Sequence, residues 1–204
     1  MTSLALVATD LDHTFLGADQ RPSELNTHSM FAAAEHGTAV IFATGRPLRW
    51  LDLLEVFADV NPTVIASNGA VTYDLRNHRV ISDTPFPIDV ITDVVNDIAS
   101  ELPEAKFSLE EAQRCCVEPG FDRVDHGRPV THQGPIHEFL TPDSRPVKML
   151  VRAFGIPTEE LFEIVDGVVD GRVSTTFSVQ LDDGLVELAP VSYTHLRAHE
   201  TRGN

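Results

Sequence analysis

Asp10 and Asp12 stand two residues apart, one residue (Thr9) beyond the short apolar run Leu4-Ala5-Leu6-Val7-Ala8, with the hydroxyl of Thr14 two positions further on. The run is too short for a membrane span and suits a buried parallel strand. On a strand, residues two apart share a face, and at a strand end they share the mouth of the sheet. Two carboxylates that close repel unless a proton or a cation lies between them, which makes this the place to expect Mg²⁺. An isolated Asp-x-Asp is more often a pair of solvated loop carboxylates, with Thr14 as a cap. Here Phe15-Leu16 return the chain to the interior at once, which narrows that reading.

A second group follows another apolar run. Thr38 to Ala43 leads into Thr44-Gly45-Arg46-Pro47. Gly45 permits close approach of an anion to the backbone, and Pro47 suits the first turn of a helix running through Trp50, Leu51, Leu54 and Phe57. A helix N-terminus aimed at the site favours phosphate. The plain alternative is a strand-to-helix turn with a surface arginine. A third run, Thr63 to Ala66, ends in Ser67-Asn68-Gly69-Ala70. Asn-Gly is first a turn signal, predicting a hairpin into Val71 to Asp74 and Val80 to Ser82.

These three groups need a scaffold that gathers strand ends. Between the first two strands, Glu24 to Glu35 has apolar residues at Leu25, Met30, Phe31 and Ala34 and is followed by Gly37, predicting a helix. Strand, helix, strand is a parallel unit, so Thr44 should face the Asp10 end. After Thr84 the pattern changes. Pro85 and Pro87 precede a helical stripe of Ile88, Ile91, Val94, Val95, Ile98 and Leu102. Glu118 to Pro146 reads as strands on long loops, Val147 to Val151 as a strand, Pro157 to Gly171 as a helix and Val173 to Val179 as a strand. That order predicts a separate open-sheet α+β domain.

With 204 residues, 42% of them hydrophobic, the chain can bury a sizeable core in one or two domains. Fifteen Lys and Arg against 31 Asp and Glu give a net charge of −16, which argues against nucleic acid. No stretch is long and apolar enough for a membrane span, no secretory leader precedes the first strand, and a cytoplasmic protein is expected. Adjacent Cys115 and Cys116 make a poor disulfide pair. His126, His132 and His137 fit no common metal-ligand spacing.

Asp10-Leu11-Asp12-His13-Thr14-Phe15-Leu16 resembles the first motif of the haloacid dehalogenase-like phosphohydrolases of the Cof-type branch, and Thr44-Gly45-Arg46 resembles their second. The resemblance implies an α/β fold, a Rossmann-like parallel-sheet core with an inserted α+β cap. It implies that Asp10 attacks phosphorus to form an aspartyl-phosphate, and that Asp12 is the general acid/base, oriented by Thr14. Thr44 would donate to the phosphoryl oxygens, with Gly45, Arg46, Asn68 and Gly69 close to the phosphate and Mg²⁺ held by Asp10 and Asp12. Covalent catalysis splits one hard step into two, and a cation relieves the charge between carboxylate and phosphate. A small phosphorylated metabolite, such as a sugar phosphate or nucleotide-related compound, is the implied substrate.

The implied division is core 1–83, cap 84–184, a strand over 185–190 returning to the core, and a tail over 191–204 outside the family pattern. The family's catalytic lysine and acidic metal loop have no counterpart after Pro190, so the core is expected to be incomplete and this chain, by itself, an inactive fragment. Lys148 opens a cap strand and is not assigned to catalysis. The competing readings are a catalytically silent phosphate-binding or interaction module, and a phosphomutase or phosphotransferase.

Overall fold

The computed structural model describes residues 4–121 and 132–191, in two sheets. The first has the order β1 (Leu6–Asp10), β2 (Ala39–Ala43), β3 (Thr63–Ala66), β4 (Val71–Asp74), β5 (Arg79–Asp83). β1, β2 and β3 run parallel, and β4 and β5 complete an antiparallel meander. Helix α1 (Glu24–Glu35) crosses from β1 to β2, its N-terminus capped by Ser23 Oγ, which accepts from the Asn26 amide at 3.0 Å. Asn26 Nδ2 donates to the Phe15 carbonyl at 2.9 Å, tying α1 to the loop after β1.

Phe15, Phe42 and Phe57 form the centre of this core, with ring centroids 5.1 to 5.6 Å apart. Tilted and edge contacts at that spacing add to area burial, and burying Phe15 fixes the loop that carries Asp12. The segment after Pro47 is not the expected α-helix. It forms 3₁₀ turns over Leu48–Trp50 and Asp52–Val60. The buried residues Leu51, Leu54 and Phe57 are spaced by three, so a three-residue turn stacks them on one face where an α-helix would fan them out.

β1 is also not the buried strand its apolar run suggests. It lies at the sheet edge, with Leu4 61% and Leu6 47% exposed. The α1 stripe is correspondingly thin. Met30 is buried, while Leu25 is 75% exposed.

The second sheet has the order β10 (Ser174–Thr176), β11 (Leu185–Ala189), β9 (Pro146–Arg152), β6 (Lys106–Glu111), β7 (Cys115–Val117), β8 (His132–Gln133). Helices α2 (Ile88–Glu101) and α3 (Thr158–Val169) contribute Ile91, Val94, Val95, Ile98, Leu161 and Val165 to a core shared with β6, β9 and β11. Leu185–Ala189, expected to return to the first sheet, instead lies inside the second, antiparallel to both β9 and β10. Alternate residues Val186 and Leu188 are buried under α3, and that apolar face determines which sheet the strand joins. The strand expected over Val173 to Val179 shortens to three residues. His132 and His137 are exposed, and His126 lies outside the described residues.

The sheets meet along one joint. Val147 is buried in the first core, and the Phe86 amide donates to the Pro146 carbonyl at 2.7 Å. Arg49 grips the carboxylate of Glu110 from 2.7 to 3.2 Å, with Glu110 almost wholly buried. Among the described residues no helix is long and apolar enough to cross a membrane.

Candidate active site

Parallel pairing sets Asp10 opposite Ala43, so the C-terminal ends of β1 and β2 deliver Asp10 and Thr44 to the same edge. Asp10 is exposed there and Thr44 is buried. Beyond Asp10 the chain turns sharply, with His13 at φ 57° and the Leu16 amide closing back on the Leu11 carbonyl at 2.8 Å. The turn hangs between two buried apolar residues, Leu11 and Phe15, and leaves Asp12, His13 and Thr14 facing outward.

Arg46 joins the first two motifs. Its Nε donates to Asp12 Oδ2 at 2.9 Å, and its Nη2 donates to Asp12 Oδ1 and to Gln20 Oε1. A planar fork on a carboxylate fixes both groups in a way an ammonium cannot. Asp12 therefore takes these hydrogen bonds from Arg46, while Thr14 is exposed on the same loop.

The third motif is interlocked with the second. The Thr44 amide donates to Ile65 O at 2.8 Å, the Ser67 amide to Arg46 O at 3.0 Å and the Asn68 amide to Thr44 O at 3.3 Å. Ser67, Asn68 and Gly69 have φ of 51°, 56° and 97°, three consecutive left-handed residues. Glycine takes that region freely and asparagine tolerates it, so the strain falls on Ser67, which the surrounding bonds must hold. Gly45 has a steric reason as well. A Cβ there would lie 2.6 Å from Asn68 Oδ1.

Sequence reasoning did not find the charges that the second sheet brings to this edge. Lys148 Nζ donates to the Gly45 carbonyl at 3.1 Å and pairs with Glu187 Oε2 at 2.6 Å. Glu187 also accepts from Asn68 Nδ2 at 3.1 Å and from Ser178 Oγ. Burial would raise the Glu187 carboxyl, but the Lys148 charge and these hydrogen bonds outweigh it and hold it below the usual carboxylate range. Glu110, opposite Lys148 on β6, moves the other way, because its burial exceeds what Arg49 offsets. The available signal was a charge at the interior of each apolar strand, Lys148 within β9, which ends at Arg152, and Glu187 within β11.

Burial, with the charge of Glu110, pushes the Cys115 thiol up to about 12, so it stays a protonated, unreactive thiol. Among the described residues no three His, Cys, Asp or Glu side chains form a metal-binding group. The oxygen donors at the mouth are the carboxylates of Asp10 and Asp12, a hard set that suits Mg²⁺, which needs only one or two protein carboxylates beside water and phosphate.

Residues 7–179 match the family model of the haloacid dehalogenase-like hydrolases. The chain belongs to that family. This haloacid dehalogenase-like hydrolase is 25% identical over 206 residues to a Bacillus subtilis protein named "Putative phosphatase YxeH", an alignment covering 98% of the chain and 72% of the relative. Its fold is that of a haloacid dehalogenase-like hydrolase from Bacteroides thetaiotaomicron, with TM-score 0.74 and 14% identity over 92% of this chain and 71% of that one. The subclass IIB sugar phosphatase BT4131 superposes with TM-score 0.70 and 17% identity, over 92% of this chain and 70% of that one. These neighbours support the α/β, Rossmann-like reading of the core.

Proposed function

We propose that this hydrolase cleaves phosphomonoesters of small phosphorylated metabolites, in the cytoplasm, through an aspartyl-phosphate on Asp10. One Asp10 oxygen attacks phosphorus as the ester P–O bond breaks. Asp12 gives a proton to the departing alkoxide, then takes one from the water that attacks the acyl phosphate, releasing inorganic phosphate and restoring Asp10. The Thr44 hydroxyl and the amides around Gly45, Asn68 and Gly69 hold the phosphoryl oxygens, and Arg46 fixes the plane of Asp12. Bound to Asp10 and Asp12, Mg²⁺ would neutralise charge between the carboxylate and the incoming phosphate.

The second sheet, roughly residues 84–184 with β11 added, is proposed as the cap that shields this step from water. The sugar phosphatase among the structural neighbours supports a phosphorylated sugar as one substrate class to try first.

The observation that supports this reading most is the Asp12–Arg46 pair, which ties the two motif loops into one cluster beside Asp10. Hydrolysis of a phosphate-ester panel with Mg²⁺, compared with Asp10→Asn, tests it. Activity that survives Asp10→Asn removes Asp10 as the nucleophile.

A second reading is favoured by one feature. Arg46 is engaged by Asp12, and Lys148 by Glu187. With both cations engaged, charge gathering at Asp10 would go largely unneutralised, so a phosphate would be held by the Thr44 hydroxyl and the loop amides but turned over slowly, as in a catalytically silent phosphate-binding module.

A further inference from the structure

Lys148 belongs to β9 of the second sheet, yet its ammonium is bonded to the backbone of the Thr44 loop in the first. It is 6% exposed, with Gly45 O at 3.1 Å and Glu187 Oε2 at 2.6 Å. Gly45 O belongs to the peptide whose N–H is that of Arg46. That N–H donates to Thr44 Oγ1 at 3.1 Å. A cation on a carbonyl polarises its peptide and makes the attached N–H a stronger donor. A Thr hydroxyl that accepts this bond keeps its own proton for another acceptor.

We propose that Lys148 is a positioning residue for the Thr44 hydroxyl, acting through the Gly45–Arg46 peptide and held in place by Glu187. The relay runs from ammonium to carbonyl, along one peptide to its N–H, and on to Oγ1, leaving the Thr44 O–H to donate to a phosphoryl oxygen. Glu187 serves twice, since the same Oε2 accepts from Lys148 and from Asn68 Nδ2. The second sheet thereby sets both loops at once, and Thr44 is correctly aimed only while the cap is seated. The inference rests on the reading of Thr44 as a phosphoryl contact.

Three measurements on the 204-residue chain test it, with tungstate as the phosphate mimic in the presence of Mg²⁺. In Lys148→Met the amide resonance of Arg46 shifts, and its hydrogen exchange speeds up about tenfold, as does that of Asn68, while β6 and α2 amides keep their protection. Tungstate binding weakens about tenfold, the scale of one lost charge-assisted hydrogen bond. Lys148→Arg, which still carries donors, recovers most of the affinity, a rescue that simple support of the sheet does not predict. If Lys148→Met fails to fold, Glu187→Gln keeps the volume, removes the charge that holds the ammonium, and is expected to give the same Arg46 shift. An unchanged Arg46 resonance in a folded variant overturns the relay, as does a rise in exchange spread equally over β6, β9 and both loops. Tungstate that fails to bind the unmodified chain overturns the Thr44 reading instead, and the Arg46 resonance still decides the relay.

Discussion

At the mouth of the first sheet, Asp10, Asn68 and Gly69 are exposed at strand ends, whereas in the second sheet Glu110 and Lys148 are buried, Glu187 is mostly covered, and all three are paired. The first arrangement keeps hydrogen-bonding capacity for a ligand. The second consumes it to hold two sheets together, because a buried charge is tolerated only with a partner. On the proposed reading, one region binds and the other aligns what binds, and the Lys148–Glu187 pair lies where they touch.

Removing the binding side should cost activity without stability. Asp10→Asn is expected to lower phosphoryl transfer by about a million-fold, the scale on which removing a nucleophile acts elsewhere, with a melting temperature near that of the parent chain because Asp10 is exposed. Removing the aligning side should do the reverse. Glu110→Ala leaves Arg49 without its carboxylate partner in a mostly buried joint, and chemical denaturation should report a loss of about 3 kcal/mol.

Between these extremes, Gly45→Ala places a methyl against Asn68 Oδ1 and pushes the two loops apart. Tungstate affinity should fall about tenfold for a stability loss of roughly 1 kcal/mol. The pH dependence sharpens the contrast. Because Glu187 is held below the usual range when folded, its contribution is complete above its unfolded pKa of about 4.5 and is lost as pH falls through the lower, folded value. Glu110, raised by burial, has the opposite sign: its contribution is present in acid and lost as pH rises through its folded value. Glu187→Gln should therefore flatten the acid limb of the stability curve and leave the Glu110 limb in place. The smallest effect is expected at Arg145→Ala, whose pair with Asp83 is largely solvated on the arginine side, so thermal melting should place the variant close to the parent chain.

The first sheet was legible because its strands end at chemistry. Apolar runs stopping at Asp10 and Thr44, joined by a helix, predict two parallel strands with a shared C-terminal edge without reference to packing. What the runs could not show was which strand lay outermost, since Leu4 and Leu6 read as buried until the sheet order placed β1 at the edge. The helix after Pro47 was misread because Leu51, Leu54 and Phe57 satisfy a three-residue period that 3.6-residue reasoning also accepts. In the second sheet, Leu185 to Ala189 alternates as a strand in either sheet would, and its partners are set by a face under α3 that lies remote in sequence. Lys148 and Glu187 are 39 positions apart, and no local pattern links them.

The central claim is that Asp10 and Thr44 form one phosphoryl site. Fluorine NMR of beryllofluoride, which mimics an acyl phosphate on a carboxylate, tests it most directly. A bound signal is predicted that requires Mg²⁺, moves the amide resonances of Thr44, Gly45 and Asn68, and vanishes in Asp10→Asn. A bound signal that persists in Asp10→Asn, or that leaves the Thr44 loop unmoved, contradicts the account.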